Sequence, residues 1–124
     1  MTDAIHPARP ASIILLLRDG DDGAGGLEVM CLQRSAQLGA FSGVLSFPGG
    51  KVSDPDCAAD LRARSDGAEA LDDQAFGHAI AAIREAFEEA GILLARRAGE
   101  ADPIGDAWAT SHVAEREALA RGEM

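Results

Sequence analysis

Cysteine is scarce in this 124-residue chain: Cys31 and Cys57 are too few and too differently placed to frame a disulfide-stapled domain. Cys31 lies in an apolar run and reads as a core filler, which fits a reducing compartment. Long hydrophobic runs are missing as well. Ile13 to Leu17 is the longest bulky aliphatic stretch, far too short to span a membrane, and Met1 to Pro10 carries no signal-peptide pattern. Positive charge is also short. Eleven Lys and Arg against 21 Asp and Glu leave a net charge of −10, which argues against nucleic-acid backbones and anionic membranes as partners. The same balance suits a protein that meets phosphorylated substrates through bridging cations. There are no internal repeats and no low-complexity tracts. What remains is an apolar fraction of 47%, enough for a core, in a length that makes one domain. The default expectation is a single soluble, cytoplasmic domain over residues 1–124.

The chain is organised around Arg84-Glu85-Ala86-Phe87-Glu88-Glu89-Ala90-Gly91-Ile92. At 100° per residue, the spacing predicts a helix over 76–90 with Phe76, Ile80, Ile83, Phe87 and Ala90 on one side, packed against a sheet. Glu85, Glu88 and Glu89 fall on the opposite side at i, i+3 and i+4, so their carboxylates are expected to converge. Three like charges that close become favourable once a hard divalent cation sits among them. An acidic solvated face with an Arg84–Glu88 pair is the plainer alternative. Gly91 supplies the helix stop.

Upstream, Val44 to Phe47 reads as a short strand that Pro48 ends, and Gly49-Gly50 allows a close backbone approach or a positive-φ turn. Together these two stretches resemble the Nudix hydrolase signature, G-x5-E-x7-R-E-U-x-E-E-x-G-U, where U is a bulky aliphatic. Only Ala86 departs from its second half. Arg34, Ser35, Gly43, Phe47, Pro48, Gly49 and Gly50 match, in register, the element that precedes this box in coenzyme A diphosphatases, while Gly39 replaces that element's second arginine. From Gly50 to Arg84 the chain runs 34 positions rather than 14, an insertion of 20. Counting back from Arg84, the first box glutamate falls on Phe76. Asp54, Asp56, Glu69, Asp72 and Asp73 are the candidates to replace it. The insertion and the run His78 to Leu94 resemble the peroxisomal-type branch that hydrolyses coenzyme A and its acyl esters.

Taken in order, residues 1–11 read as a flexible lead-in, with His6 solvent-exposed. Ser12 to Arg18 reads as a buried strand that pairs with Leu27 to Arg34 as a hairpin. Asp19 to Gly26 connects them by turn chemistry rather than as a calcium loop. Residues 51–71 read as an insertion loop with room for one helical turn, tolerable because closure entropy grows slowly with loop length. His78 sits near the acidic face and reads as structural. Ile92 to Ala95 reads as a fourth strand that leads into solvated Arg96-Arg97, Asp102 to Gly105 as a turn, Trp108 as a packing anchor, and Ala109 to Arg121 as a thinly apolar helix.

The resemblance implies an α+β fold, a Nudix-type α/β/α sandwich with a mixed sheet. Such a fold continues past the fourth strand with more sheet and a second long helix, so the sandwich is expected to be incomplete at its C-terminal end. Three outcomes stay open: a truncated member, a sheet completed by a partner chain (a homodimer among them), or the last helix as substitute. The resemblance further implies Mg2+ or Mn2+ held by Glu85, Glu88, Glu89 and a backbone carbonyl at Gly49 or Gly50, catalytic roles for Glu85 and Arg84, and substrate contacts from Arg34, Ser35, Gly43, Phe47 and Gly49. It implies hydrolysis of a small-molecule diphosphate, coenzyme A or acyl-coenzyme A first. An ADP-ribose or nucleotide-sugar pyrophosphatase, or an inactive ligand-binding module, is the alternative.

Overall fold

Three extended segments make up the strand layer, and each divides its backbone bonds between the other two. In the computed structural model, which describes residues 7–21, 23, 25–33 and 43–123, β1 (Ala11–Ile13) pairs with β6 (Gly49–Lys51), β2 (Leu17–Asp19) with β3 (Leu27–Val29), and β4 (Leu32–Gln33) with β5 (Leu45–Ser46). All three ladders are antiparallel. The Ile14 N–H bonds to the Pro48 carbonyl at 2.9 Å, whereas the Leu16 carbonyl accepts from Met30 N–H at 2.9 Å. The segment expected as one strand over Ser12 to Arg18 therefore changes partner at Leu15. The expected hairpin survives in β2 and β3, where Arg18 lies opposite Glu28 and bonds it at 2.6 Å. The lead-in is shorter than expected: the Pro10 carbonyl already accepts from Val52 N–H, and Ala11 opens β1. His6 lies outside the described residues.

Side chains alternate across a strand, so residues 12, 14 and 16 face one way and 13, 15 and 17 the other. Ser12 Oγ donates to the His78 carbonyl at 2.8 Å, which places the even-numbered face on the helix side. The odd-numbered face is bare. Ile13, Leu15 and Leu17 are exposed there, joined across the ladders by Val29, Leu27 and Leu45. Cys31 is exposed too, not the core filler expected. The apolar run is thus half-buried on one side and bare on the other, which no described element covers.

The segment expected as a loop over 51–71 is largely structured. After β6 come a 3-10 turn at Asp54–Cys57, α1 (Ala59–Ala63) and a second 3-10 turn at Ala68–Ala70. Arg62 holds it: its guanidinium lies 4.4 Å over the Phe76 ring and donates to the Ala68 carbonyl at 2.7 Å and to Asp73 at 3.0 Å. Arg96 adds a 2.6 Å bridge to Asp66.

α2 (Asp73–Ala90) is the longest element and packs on β1, β6 and the first 3-10 turn. It starts three residues before the expected position because Asp72 caps it, accepting from Ala75 N–H at 2.8 Å. Gly91 ends it in the left-handed region at φ 70°. The side turned to the strands is not the one expected. Gly77 and Ala81 are buried, and a Cβ on Gly77 would stand 2.7 Å from Cys57 Sγ. A stripe this small lets the strands and the 3-10 turn approach closely. The aromatic side instead meets helices: Phe87 lies 6.0 Å from Trp108, which stacks on His112 at 3.8 Å. Trp108 is the anchor expected of it. It belongs to α3 (Asp106–Ser111), and α4 (Val113–Ala120) follows, so the expected helix over 109–121 is broken at His112. Ile92 to Ala95 forms no strand; an isolated bridge joins Arg96 to Pro103. No helix among the described residues is long and apolar enough to cross a membrane.

Candidate functional site

Where the strand layer, the first 3-10 turn and α2 meet, one guanidinium gathers four groups. Arg84 Nε and Nη2 donate to the two oxygens of Asp56 at 2.8 and 3.1 Å. Its Nη1 donates to Glu85 Oε1 at 2.9 Å and to Glu88 Oε1 at 3.0 Å, and its Nη2 also donates to the Lys51 carbonyl at 2.9 Å. A planar guanidinium suits this task because its donors point outward in a fixed fork. The first 3-10 turn aims Asp56 inward: its carboxylate accepts from the Ser53 N–H at 2.8 Å and from Ser53 Oγ at 3.0 Å. Asp56 is 2% exposed.

Charge follows geometry. Burial acts to raise the Asp56 pKa, but the Arg84 fork and the two Ser53 bonds outweigh it and hold the carboxyl below its ordinary value. Asp56 in turn, ahead of Glu88 and Glu85, pushes the Arg84 guanidinium above its ordinary range. Glu89 goes the other way. Partial burial, then the neighbouring Glu85, raise its pKa against a lowering bond from the Gly49 N–H.

Asp56 was one of five acidic candidates for the first box position, and the structure selects it as the partner of Arg84. Counting back from Arg84 reaches Phe76, which is 2% exposed and belongs to the core. Counting forward from Gly50 through the signature's x5 lands on Asp56. The insertion therefore lies after this acidic position, inside the x7 gap.

Glu85 is buried against β6 rather than set on a free face. A Cβ at Gly50 would overlap its carboxylate, and a Cβ at Gly49 would overlap the Ser12 carbonyl oxygen. Both glycines are required by close approach, and neither has positive φ. The register also separates their roles. In an antiparallel pair, hydrogen-bonded and outward-facing residues alternate. The flanking bonds, Ile14 to Pro48 and Val52 to Pro10, make Ser12 and Gly50 a bonded pair. The Gly50 carbonyl is therefore committed to β1, while the Gly49 and Lys51 peptides face outward, toward Glu89 and Arg84.

The three glutamates gather as expected, Glu85 and Glu88 on one Arg84 nitrogen and Glu89 against Glu85, but each carboxylate also has another partner. Glu85 and Glu88 turn to Arg84, Glu89 turns to the Gly49 N–H, and no three His, Cys, Asp or Glu side chains among the described residues stand together as a metal cage. His78 is tied to β1, its Nδ1 3.0 Å from Ser12 Oγ. Gly43 makes a turn at φ 73° before β5, and exposed Phe47 precedes buried Pro48 beside Gly49. Arg34 and Ser35, with Gly39, lie outside the described residues. Arg97 faces Glu100 at 3.8 Å on the surface.

No protein-family model matches the chain. It is 34% identical over 90 residues to Nudix hydrolase 15, mitochondrial, of Arabidopsis thaliana, which covers 73% of this chain and 24% of that protein. Among solved structures it is similar to a NUDIX hydrolase from Alicyclobacillus acidocaldarius, at a TM-score of 0.62 and 27% identity over 96% of this chain and 57% of that one. The chain thus spans about a quarter of the curated relative and little more than half of the solved one. The fold is of the Nudix type in the α+β class, and the likeness to the Nudix hydrolase superfamily is supported by both a curated relative and a solved neighbour.

Proposed function

We propose that this protein is a metal-dependent hydrolase of diphosphate linkages, with coenzyme A or acyl-coenzyme A as its substrate. The observation that carries this reading is the single guanidinium of Arg84, which fixes Asp56, Glu85 and Glu88 beside the outward-facing Gly49 peptide. The likeness to Nudix hydrolases supports diphosphate hydrolysis in general. The match of Gly43, Phe47, Pro48, Gly49 and Gly50 to the coenzyme A pattern supports the narrower substrate.

The donor chemistry fits a hard cation: Glu85, Glu88 and Glu89 offer only carboxylate oxygens, and burial, then the neighbouring Glu85, already disfavour the charged form of Glu89. These three and the Gly49 carbonyl, rather than the Gly50 carbonyl, would hold Mg2+ or Mn2+. When bound, such an ion neutralises diphosphate oxygens and lowers the pKa of a bound water. Arg84 orients Glu85 and Glu88 by charge-assisted bonds and keeps them from drifting apart when nothing is bound. Glu85, set between Arg84 and the glycine pair, accepts the proton of the attacking water. The water oxygen then bonds to phosphorus, the bridging P–O bond breaks, and two monophosphates leave. With coenzyme A, the products are adenosine 3',5'-bisphosphate and 4'-phosphopantetheine.

The test is product release from acetyl-coenzyme A, coenzyme A and ADP-ribose with Mg2+ or Mn2+. Cleavage of the coenzyme A compounds is the expected result, and Glu88→Gln should abolish it while leaving the fold intact. Turnover that survives Glu88→Gln would sink the ligand assignment. Preference for ADP-ribose would replace the substrate class. A folded protein that binds these compounds in a thermal-shift assay yet cleaves none would be a binding module instead.

A further inference from the structure

Glu88 is held at both ends. Its carboxylate accepts a bond from Arg84, and its carbonyl oxygen accepts one from Arg116 Nε of α4 at 2.8 Å. The second bond answers a need that the helix stop creates. A helix leaves its last four carbonyls without intrahelical donors. At the end of α2 the Gly91 N–H returns to the Phe87 carbonyl at 3.0 Å, as a left-handed stop requires. The Ile92 N–H, which a longer helix would give to Glu88, goes to the Ala86 carbonyl instead at 3.3 Å. The Glu88 carbonyl is the next one left open, and the guanidinium fills it. A Cβ on Gly91 would stand 3.3 Å from Arg116 Nη1, so the stop residue also leaves room for the arginine. A cation placed here meets the negative end of the helix dipole.

We infer that Arg116 is a positioning residue of the ion site. By closing the last turn of α2 it fixes the backbone from which Glu88 and Glu89 project, one toward Arg84 and the other toward the Gly49 N–H. α4 packs on α2, and this bond couples it to the site. A turn free to fray would let both carboxylates swing, and an ion held by carboxylates depends on their placement. The inference deepens the proposed function and rests on its ion site. The charge of Arg116 works the other way, since a fixed cation repels an incoming one. A weakening of ion binding on its removal is therefore an effect of position, not of charge.

The probe is Mn2+ alone, titrated into substrate-free protein and followed by electron paramagnetic resonance. Arg116→Met should weaken binding about tenfold, a loss of about 1.4 kcal/mol. Arg116→Lys, which keeps a donor within reach of the carbonyl, should recover most of it. Hydrogen exchange at the Gly91 and Ile92 amides should speed up in Arg116→Met and stay slow in Arg116→Lys. Arg62→Met is the control: it loosens the insertion at the opposite end of α2, so it should lower Tm and leave Mn2+ affinity unchanged. Mn2+ binding by Arg116→Met as tight as that of the unaltered protein, or tighter, overturns the inference and leaves the ion site standing. A fall in affinity that Arg62→Met reproduces at equal loss of Tm overturns it too, as an effect of stability alone. Absence of Mn2+ binding by the unaltered protein removes the ion site and this inference together, and faster exchange in Arg116→Met would then show a cap of α2 and nothing more.

Discussion

The two faces of the strand layer are made of similar residues and meet different neighbours. On the even-numbered face, Ser12 is bonded to α2, and Gly77, Ala81 and Glu85 of that helix are buried against the strands and the first 3-10 turn. On the odd-numbered face, Ile13, Leu15, Leu17, Leu27 and Leu45 are more than half exposed. A strand apolar on both sides is a pattern for a sheet covered on both sides. The difference explains where chemistry can be built. Positioning a guanidinium to about an ångström requires rigid neighbours on every side, and only the α2 face supplies them.

The largest effect should come from removing the hub of the packed face. Arg84→Met leaves Asp56 buried and without its fork, a loss of about 3–5 kcal/mol for a buried charge stripped of its partner. Arg84 itself is 17% exposed in its side chain, so the lower end of that range is expected. Urea denaturation would read it, and a loss under about 1 kcal/mol would mean that Asp56 finds water or another partner.

Next comes the pH dependence of the same pair. The Asp56 carboxyl is held below its ordinary 3.8, so it stabilises the fold above that pH and loses its contribution as pH falls through the lower folded value. The stability gap between the protein and Asp56→Asn should therefore be widest above about pH 5 and close as pH falls through the lowered folded value. A gap that does not change with pH would assign the effect to packing rather than to charge.

Glu89 carries the opposite sign and a smaller effect. Its pKa is raised above 4.5, so its charged form weighs against the folded state once pH exceeds the folded pKa, and that penalty vanishes in acid. Glu89→Gln should stabilise the metal-free protein at pH 7 and lose that advantage below about pH 4. Added Mg2+ should raise the Tm of the unaltered protein more than that of the variant. The reverse order would remove Glu89 from the ion-holding set.

Much of the packed face was legible in the sequence, and the reasons it was not fully so are local. The helix over 76–90, its stop at Gly91 and the glutamate triplet follow from period and spacing. That Glu85 is buried does not follow from the wheel's aromatic side. The signal was the second stripe, Gly77, Ala81 and Glu85 at i, i+4 and i+8, whose small side chains admit a strand. Asp56 was hidden by counting from the wrong end of a 20-residue insertion. The carbonyl that faces the glutamates is a matter of ladder register, which no composition reveals. On the bare face, a run such as Ile13 to Leu17 says that burial is favourable without saying which neighbour provides it, and Ile92 to Ala95, apolar as it is, pairs with none of the described strands.

The smallest effect tests the bare face itself. Leu17 is 59% exposed opposite Val29, so Leu17→Ser removes little buried area and should change stability by no more than about 0.5 kcal/mol. It should also reduce binding of a hydrophobic dye and any rise of Tm with protein concentration, since an apolar patch of this extent invites self-association. A loss above about 2 kcal/mol would instead have the size of a core truncation. Leu17 would then be buried in solution, the two faces would be alike, and a second copy of the chain would be the first cover to look for, by measuring whether that loss grows with protein concentration.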